Sequence, residues 1–172
     1  MKLKQLFAVG MTALAVASSS IPAFAADTTA STEFSYTKAN DPTYTVSIPS
    51  ALTLTDEGTP LTITASDVAY LNGKKISVTI AGTDYFRNQL VLSGKTSKPS
   101  YTSVIRYQLI GADDSVIETI GTDTATGKEL ASFTDNGTVT YTAKPVIGTQ
   151  GQNLEPGVNY TGTMTFGIAL TE

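Results

Sequence analysis

Alternation of apolar and polar residues with a period of two is the dominant pattern of this chain, and it is clearest near the C-terminus. Between Tyr160 and Leu170, residues Tyr160, Gly162, Met164, Phe166, Ile168 and Leu170 fall on one face, with Thr161, Thr163, Thr165, Gly167 and Ala169 on the other. That is the signature of a half-buried β-strand. At roughly 3.3 Å per residue it spans about 35 Å, enough to cross a small sheet and seal two layers against each other. Glu155-Pro156-Gly157, just upstream, predicts a tight reversal in which Pro156 presets φ and Gly157 supplies a positive φ. The rest of the chain is predicted to organise around this closing strand.

The same period recurs along the chain. Phe34 and Tyr36 alternate with polar residues from about Glu33, and Tyr44, Val46 and Ile48 form a run ended by Pro49, which cannot donate to a ladder. Further runs are Leu61, Ile63 and Ala65; Ile76, Val78 and Ile80, with Lys75, Ser77 and Thr79 toward water; Leu90 and Leu92; Ile105, Tyr107 and Leu109; and Val139, Tyr141 and Ala143. Val116 to Ile120 allows a strand with two partly apolar faces. Turn signals stand between the runs at Thr55 to Gly58, Asn72-Gly73 and Asp135-Asn136-Gly137. Asp67 to Leu71, with Ser66 as a cap, reads as a single helical turn. About eight or nine short strands at spacings of roughly 8 to 15 residues, with no amphipathic helix, predict an all-β fold: an immunoglobulin-like or Greek-key β-sandwich. Outward threonines favour extended backbone through their branched Cβ and keep the outer faces soluble with few charges.

The N-terminus departs from this pattern. Lys2 and Lys4 precede a short apolar run from Leu6 to Ala17, and Ala23-Phe24-Ala25 places small residues where a signal peptidase reads them. The run is shorter than the ~20 residues a membrane span needs. Residues 1–25 are therefore predicted to be a signal peptide, 26–32 a small polar leader, and 33–172 a single domain, secreted or held at the cell surface with no transmembrane segment after cleavage.

Cleavage takes the net charge from −4 to about −6, because Lys2 and Lys4 are lost. An acidic domain lacks the positive footprint that nucleic acid or an anionic membrane selects. The chain has no cysteine, no tryptophan and no histidine. It must rely on its core rather than on disulfides, and it lacks the residues of thiol catalysis, thiolate zinc sites and Ser-His-Asp hydrolysis.

Tyr44-Thr45-Val46-Ser47-Ile48-Pro49, together with Pro156-Gly157-Val158-Asn159-Tyr160-Thr161-Gly162-Thr163-Met164-Thr165-Phe166, resembles small exported β-sandwich surface proteins of Gram-positive bacteria. The ending is similar to that of WxL cell-wall-binding domains and, more distantly, to fimbrial subunits and spore coat protein U-like domains. The Trp-x-Leu elements that define the WxL family are absent. The resemblance implies a sandwich fold and a role at the cell surface.

Two local groups have a chemical reading. Tyr85, Phe86, Arg87 and Asn88 suit an aromatic platform with polar edges, of the kind sugar-binding sites use; the competing reading, a core aromatic at a strand entry, is the ordinary fate of such residues. Asp113, Asp114, Glu118 and Asp123 offer oxygen ligands for Ca²⁺, although their spacing fits no EF-hand and solvated loop charges account for them. Paired carboxylates for glycoside hydrolysis could come from residues such as Glu118 and Glu129, with nothing in the sequence setting their separation. No metal or cofactor is expected. The sequence thus predicts a non-catalytic surface or extracellular-matrix protein acting in adhesion, cell-surface association or self-assembly, with a carbohydrate-binding module as the alternative. Its partner is expected to be a cell-surface polymer or another surface protein, including a second copy. Self-assembly would use an open sheet edge and the Phe34/Tyr36 segment, which pairs at home by the usual adjacency of sequential strands or is donated to a neighbour.

Overall fold

The structure, a computed structural model, describes residues 32–98, 100–148 and 154–172. The predicted signal peptide and residues 26–31 lie outside them. The chain divides into two contact units, Met1–Thr37 and Lys38–Glu172. Of the first, residues 32–37 carry no regular secondary structure, and the strand expected around Phe34 and Tyr36 is not formed. Phe34 is 91% exposed and Tyr36 85%. Alternation alone does not make a strand, because its backbone groups need a partner ladder.

Among its described residues the second unit is all-β, apart from one 3-10 turn at Phe86–Asn88. Its strands are β1 (Thr43–Ser47), β2 (Thr59–Ala69), β3 (Lys75–Thr83), β4 (Val91–Lys95), β5 (Thr102–Ile110), β6 (Val116–Ile117), β7 (Glu129–Phe133), β8 (Gly137–Pro145) and β9 (Met164–Thr171). They form two sheets, one ordered β1-β2-β8-β5-β4 with β6 against β5, the other β7-β3-β9. Every strand pairing is antiparallel.

The period-two pattern explains how the sheets bury a common core. Leu61, Ile63 and Ala65 of β2, Ile105, Tyr107 and Leu109 of β5, and Tyr141 and Ala143 of β8 are buried on the larger sheet. Ile76, Val78 and Ile80 of β3 and Leu130, Ala131 and Phe133 of β7 are buried on the smaller one. Outside, Thr62 bonds Thr140 and Thr64 bonds Thr138 through their hydroxyls, each at 3.2 Å, so the outward threonines of β2 and β8 brace each other. One polar contact joins the sheets through the core: the Tyr141 hydroxyl on β8 donates to the Leu130 carbonyl on β7 at 2.7 Å.

The predicted turns at Asn72-Gly73 and Pro156-Gly157 form as read. Lys74 N–H donates to Leu71 O at 3.0 Å around Asn72 (φ 54°) and Gly73 (φ 83°), the double positive φ of a type I′ turn. Val158 N–H donates to Glu155 O at 3.2 Å around Pro156 and Gly157 (φ 82°). Four further local expectations are overturned. Asp67 to Leu71 is not helical: β2 continues to Ala69, because β1 pairs across it and Asn136 Oδ1 takes the Val68 N–H at 2.9 Å. Ser77 does not face water; it is 6% exposed and donates to Glu129 Oε2 at 2.6 Å. The strand over 116–120 stops at Ile117, and Thr119 is buried, accepting the Leu90 N–H at 2.8 Å. The closing strand is not the centre of the core, since none of its β9 residues is fully buried; β3, paired on both sides, holds that place.

Ile80→Ala is expected to cost about 2–5 kcal/mol in urea unfolding, from lost apolar transfer plus a cavity. Tyr141→Phe should cost about 1–3 kcal/mol by orphaning a buried carbonyl. Burial, and secondarily the charge of Asp84, pushes the Tyr107 phenol up to about 12. Because the unfolded phenol ionises near its ordinary value while the folded one stays neutral, stability is intact below about pH 10 and falls by roughly 3 kcal/mol between there and pH 12. Tyr107→Phe should remove that component from the alkaline denaturation curve.

Candidate functional site

The quartet Tyr85 to Asn88 sits where β3 leaves the smaller sheet for β4. Asn88 is spent inside: its Oδ1 accepts the Thr83 N–H at 3.1 Å and its own N–H donates to Tyr85 O at 2.9 Å. Tyr85 is half-buried. Phe86 does not join the core but is 71% exposed, and the Arg87 guanidinium lies over its ring at 5.2 Å from the centroid. Arg87 (φ 56°) and Asn88 (φ 53°) adopt left-handed backbone to make this tight corner. Two of the four residues, Phe86 and Arg87, are thus presented to solvent together, and the other two hold the corner.

Four of the candidate acidic residues are used singly. Asp113 Oδ1 accepts from the Ser115 hydroxyl at 2.6 Å and its N–H at 3.2 Å, which closes a turn and holds this carboxyl below its ordinary pKa. Asp123 Oδ2 accepts the Ile120 N–H at 3.2 Å. Glu118 pairs with Arg106 at 3.8 Å, while Glu129 takes the Ser77 hydroxyl on the other sheet. Among the described residues no group of three or more His, Cys, Asp or Glu is placed to hold a metal ion. A shallow cavity of about 350 Å³ lies between Thr96, Lys98, Tyr101 and Pro156. Its carboxylate, Glu155, accepts the Ser97 N–H through both oxygens at 3.2 Å, and the Glu155 N–H donates to the Tyr160 hydroxyl at 3.0 Å. These groups tie the Pro156-Gly157 turn to the β4–β5 hairpin.

That tie begins the most distinctive feature of the molecule, the path of the C-terminal strand. Thr161 and Ser93 of β4 exchange two backbone hydrogen bonds at 2.9 Å, Asp84 N–H donates to Thr163 O at 3.1 Å, and Asp84 Oδ1 accepts the Thr163 N–H at 2.9 Å. From Met164 the chain pairs with β3. One edge of the C-terminal segment is therefore occupied first by the larger sheet and then by the smaller. Gly94 permits the crossing: a Cβ there would sit 2.5 Å from Val158 Cγ1 and 3.0 Å from Asn159 O.

Among the described residues the opposite edge is open. Backbone groups alternate in direction along a strand, and Thr161 and Thr163 point theirs at β4 and Asp84. Gly167, Ala169 and Thr171 therefore face β3, and the N–H and C=O groups of Met164, Phe166, Ile168 and Leu170 face away from it. No strand among the described residues pairs with that side. Ile168 shares the inward face with its partner Val78 yet is 43% exposed. The other free edges are guarded. β1 is five residues long, bracketed by Pro42 and Pro49 and irregular in register; β7 is as short, and begins with Glu129. β9 has eight residues, no charge and no proline. Such an edge is a template for a further strand. The absence of charge was legible in the sequence; which edge stays open depended on strand order.

Gly94→Val should push Val158 to Thr161 off β4, lowering the melting temperature and speeding amide exchange at Thr161 and Thr163 while the β2–β8 amides stay protected.

No family model matches the chain, and neither a curated protein nor a solved structure does.

Proposed function

We propose that this is an exported, non-catalytic protein of the cell surface or extracellular matrix, acting in adhesion and self-assembly through a strand edge. On this reading residues 1–25 are its signal peptide and the two sheets an immunoglobulin-like or Greek-key sandwich. The observation that carries the proposal is the open, uncharged, proline-free edge of β9, with Ile168 half out of the core. Extended uncharged edges are normally blocked in monomeric proteins, so one left open favours strand addition as a use. The absence of His and Cys, and the separate engagement of Asp113, Glu118 and Glu129, support a binding or structural role over catalysis. The acidic balance argues against nucleic acid as a partner.

A second reading, a carbohydrate-binding module, is favoured by Phe86 with Arg87 over its ring, an exposed aromatic face with a polar rim.

Residues 26–172 should show concentration-dependent association by light scattering, and a strictly monomeric protein at millimolar concentration would refute self-assembly. A glycan array should be blank; saturable binding lost in Phe86→Ala would move the conclusion to the carbohydrate reading.

A further inference from the structure

We propose that the open edge of β9 is closed by β9 of a second copy, paired antiparallel about a two-fold axis that passes beside Gly167. The inference rests on the self-assembly reading above and specifies its partner and register. The backbone groups directed at the open edge belong to Met164, Phe166, Ile168 and Leu170, so the hydrogen-bonded pairs of any added antiparallel strand are made at these positions. With a second copy as that strand, a two-fold axis at Gly167 sets Phe166 opposite Ile168 of its mate and Met164 opposite Leu170, all on the inward face. On the outer face it sets Thr165 opposite Ala169, with the two Gly167 residues adjacent on the axis.

Each of these juxtapositions is favourable or neutral. Phe166 against Ile168 is an aromatic–β-branched pair, the kind that stabilises cross-strand contacts. Ile168, half exposed on a face meant for the core, gains the cover that its own domain leaves off. Gly167 removes any side chain from the axis, where its own neighbours are already close: a Cβ there would lie 3.0 Å from Thr79 Oγ1. No charged side chain lies anywhere on β9, so the symmetric pairing brings no like charges together. Self-complementarity is the requirement a two-fold interface imposes, and this eight-residue segment meets it in the register centred on Gly167. The product is a continuous six-stranded sheet, β7-β3-β9 of one copy running into β9-β3-β7 of its mate. β1 and β7 remain edges on each copy.

The chain has no cysteine, so introduced ones report distance directly. Thr165→Cys and Ala169→Cys variants of residues 26–172, both exposed on the outer face, are mixed at equal concentration under mild oxidant. Their side chains face each other in a non-hydrogen-bonded pair, close enough for a disulfide. The mixture should give heterodisulfide dimer roughly tenfold faster than either variant gives homodimer, because residues two steps out of register on each side lie beyond disulfide reach. Ile168→Lys should raise the dimer dissociation constant at least about tenfold by placing charge on the edge, with the circular dichroism of the monomer unchanged. Deleting residues 26–37 should leave the dimer intact. Association without the heterodisulfide preference would overturn the register and leave self-assembly standing; a dimer lost on deleting 26–37 would make the Phe34/Tyr36 segment the occupant instead; a monomer at every concentration would remove both this inference and the self-assembly reading.

Discussion

Every layer of the second unit depends on the burial of the inward side chains of one strand. The inward side chains of β3, Ile76, Val78 and Ile80, have no exposed surface. Their strand is flanked by β7 on one side and β9 on the other, with the larger sheet packed over its face through the shared core. Burying three β-branched side chains stabilises by roughly 1.5–3 kcal/mol each, and a chain without disulfides depends on burial of this kind. The outward side of β3 is recruited as well, with Ser77 shut in under Glu129.

The second constraint is how two sheets of unequal width are joined. A six-stranded sheet cannot be covered by a three-stranded one, so the edges must be handled separately. On the β4 side the chain solves this with its own C-terminal segment, which is stitched to Ser93 and Asp84 before it enters the smaller sheet. The cost appears on β9 itself. A strand that seals an edge has one side of its ladder filled and one side empty, and its apolar positions are only half covered. The chemistry available to this surface is therefore that of backbone groups and apolar side chains, and the surface suits a strand-shaped partner.

The polar groups follow a different logic. Asp84, Asn88, Asp113, Asp123, Asn136 and Glu155 each accept a backbone N–H at a corner or crossing. These bonds satisfy donors that strand ends leave without a ladder partner. A carboxylate committed to holding a turn is poorly placed to act as a ligand or as half of a catalytic pair, and in this molecule such carboxylates are dispersed over separate corners.

Much of the fold was legible in the sequence because it depends on local chemistry. The alternation at Leu61 to Ala65, Ile76 to Ile80 and Ile105 to Leu109 specified strands and their buried faces, since side-chain direction in a strand repeats every two residues. Asn72-Gly73 and Pro156-Gly157 specified turns, since their backbone preferences act within four residues. Phe34 and Tyr36 carry the same alternation and form no strand, and Phe86 is aromatic and lies in water, because partner and cover are supplied from outside the segment. For the same reason no local pattern distinguished Ser77, buried, from Lys75 and Thr79. The predicted site at Tyr85 to Asn88 could be located as a segment, yet which of its residues reach solvent was settled by the corner they build. Strand order alone decided that β3 is the central strand, that Thr161 meets Ser93, and that β9 keeps one edge open: hydrogen-bond partners distant in sequence are chosen by the packing of whole sheets, and a single strand's residues do not encode them.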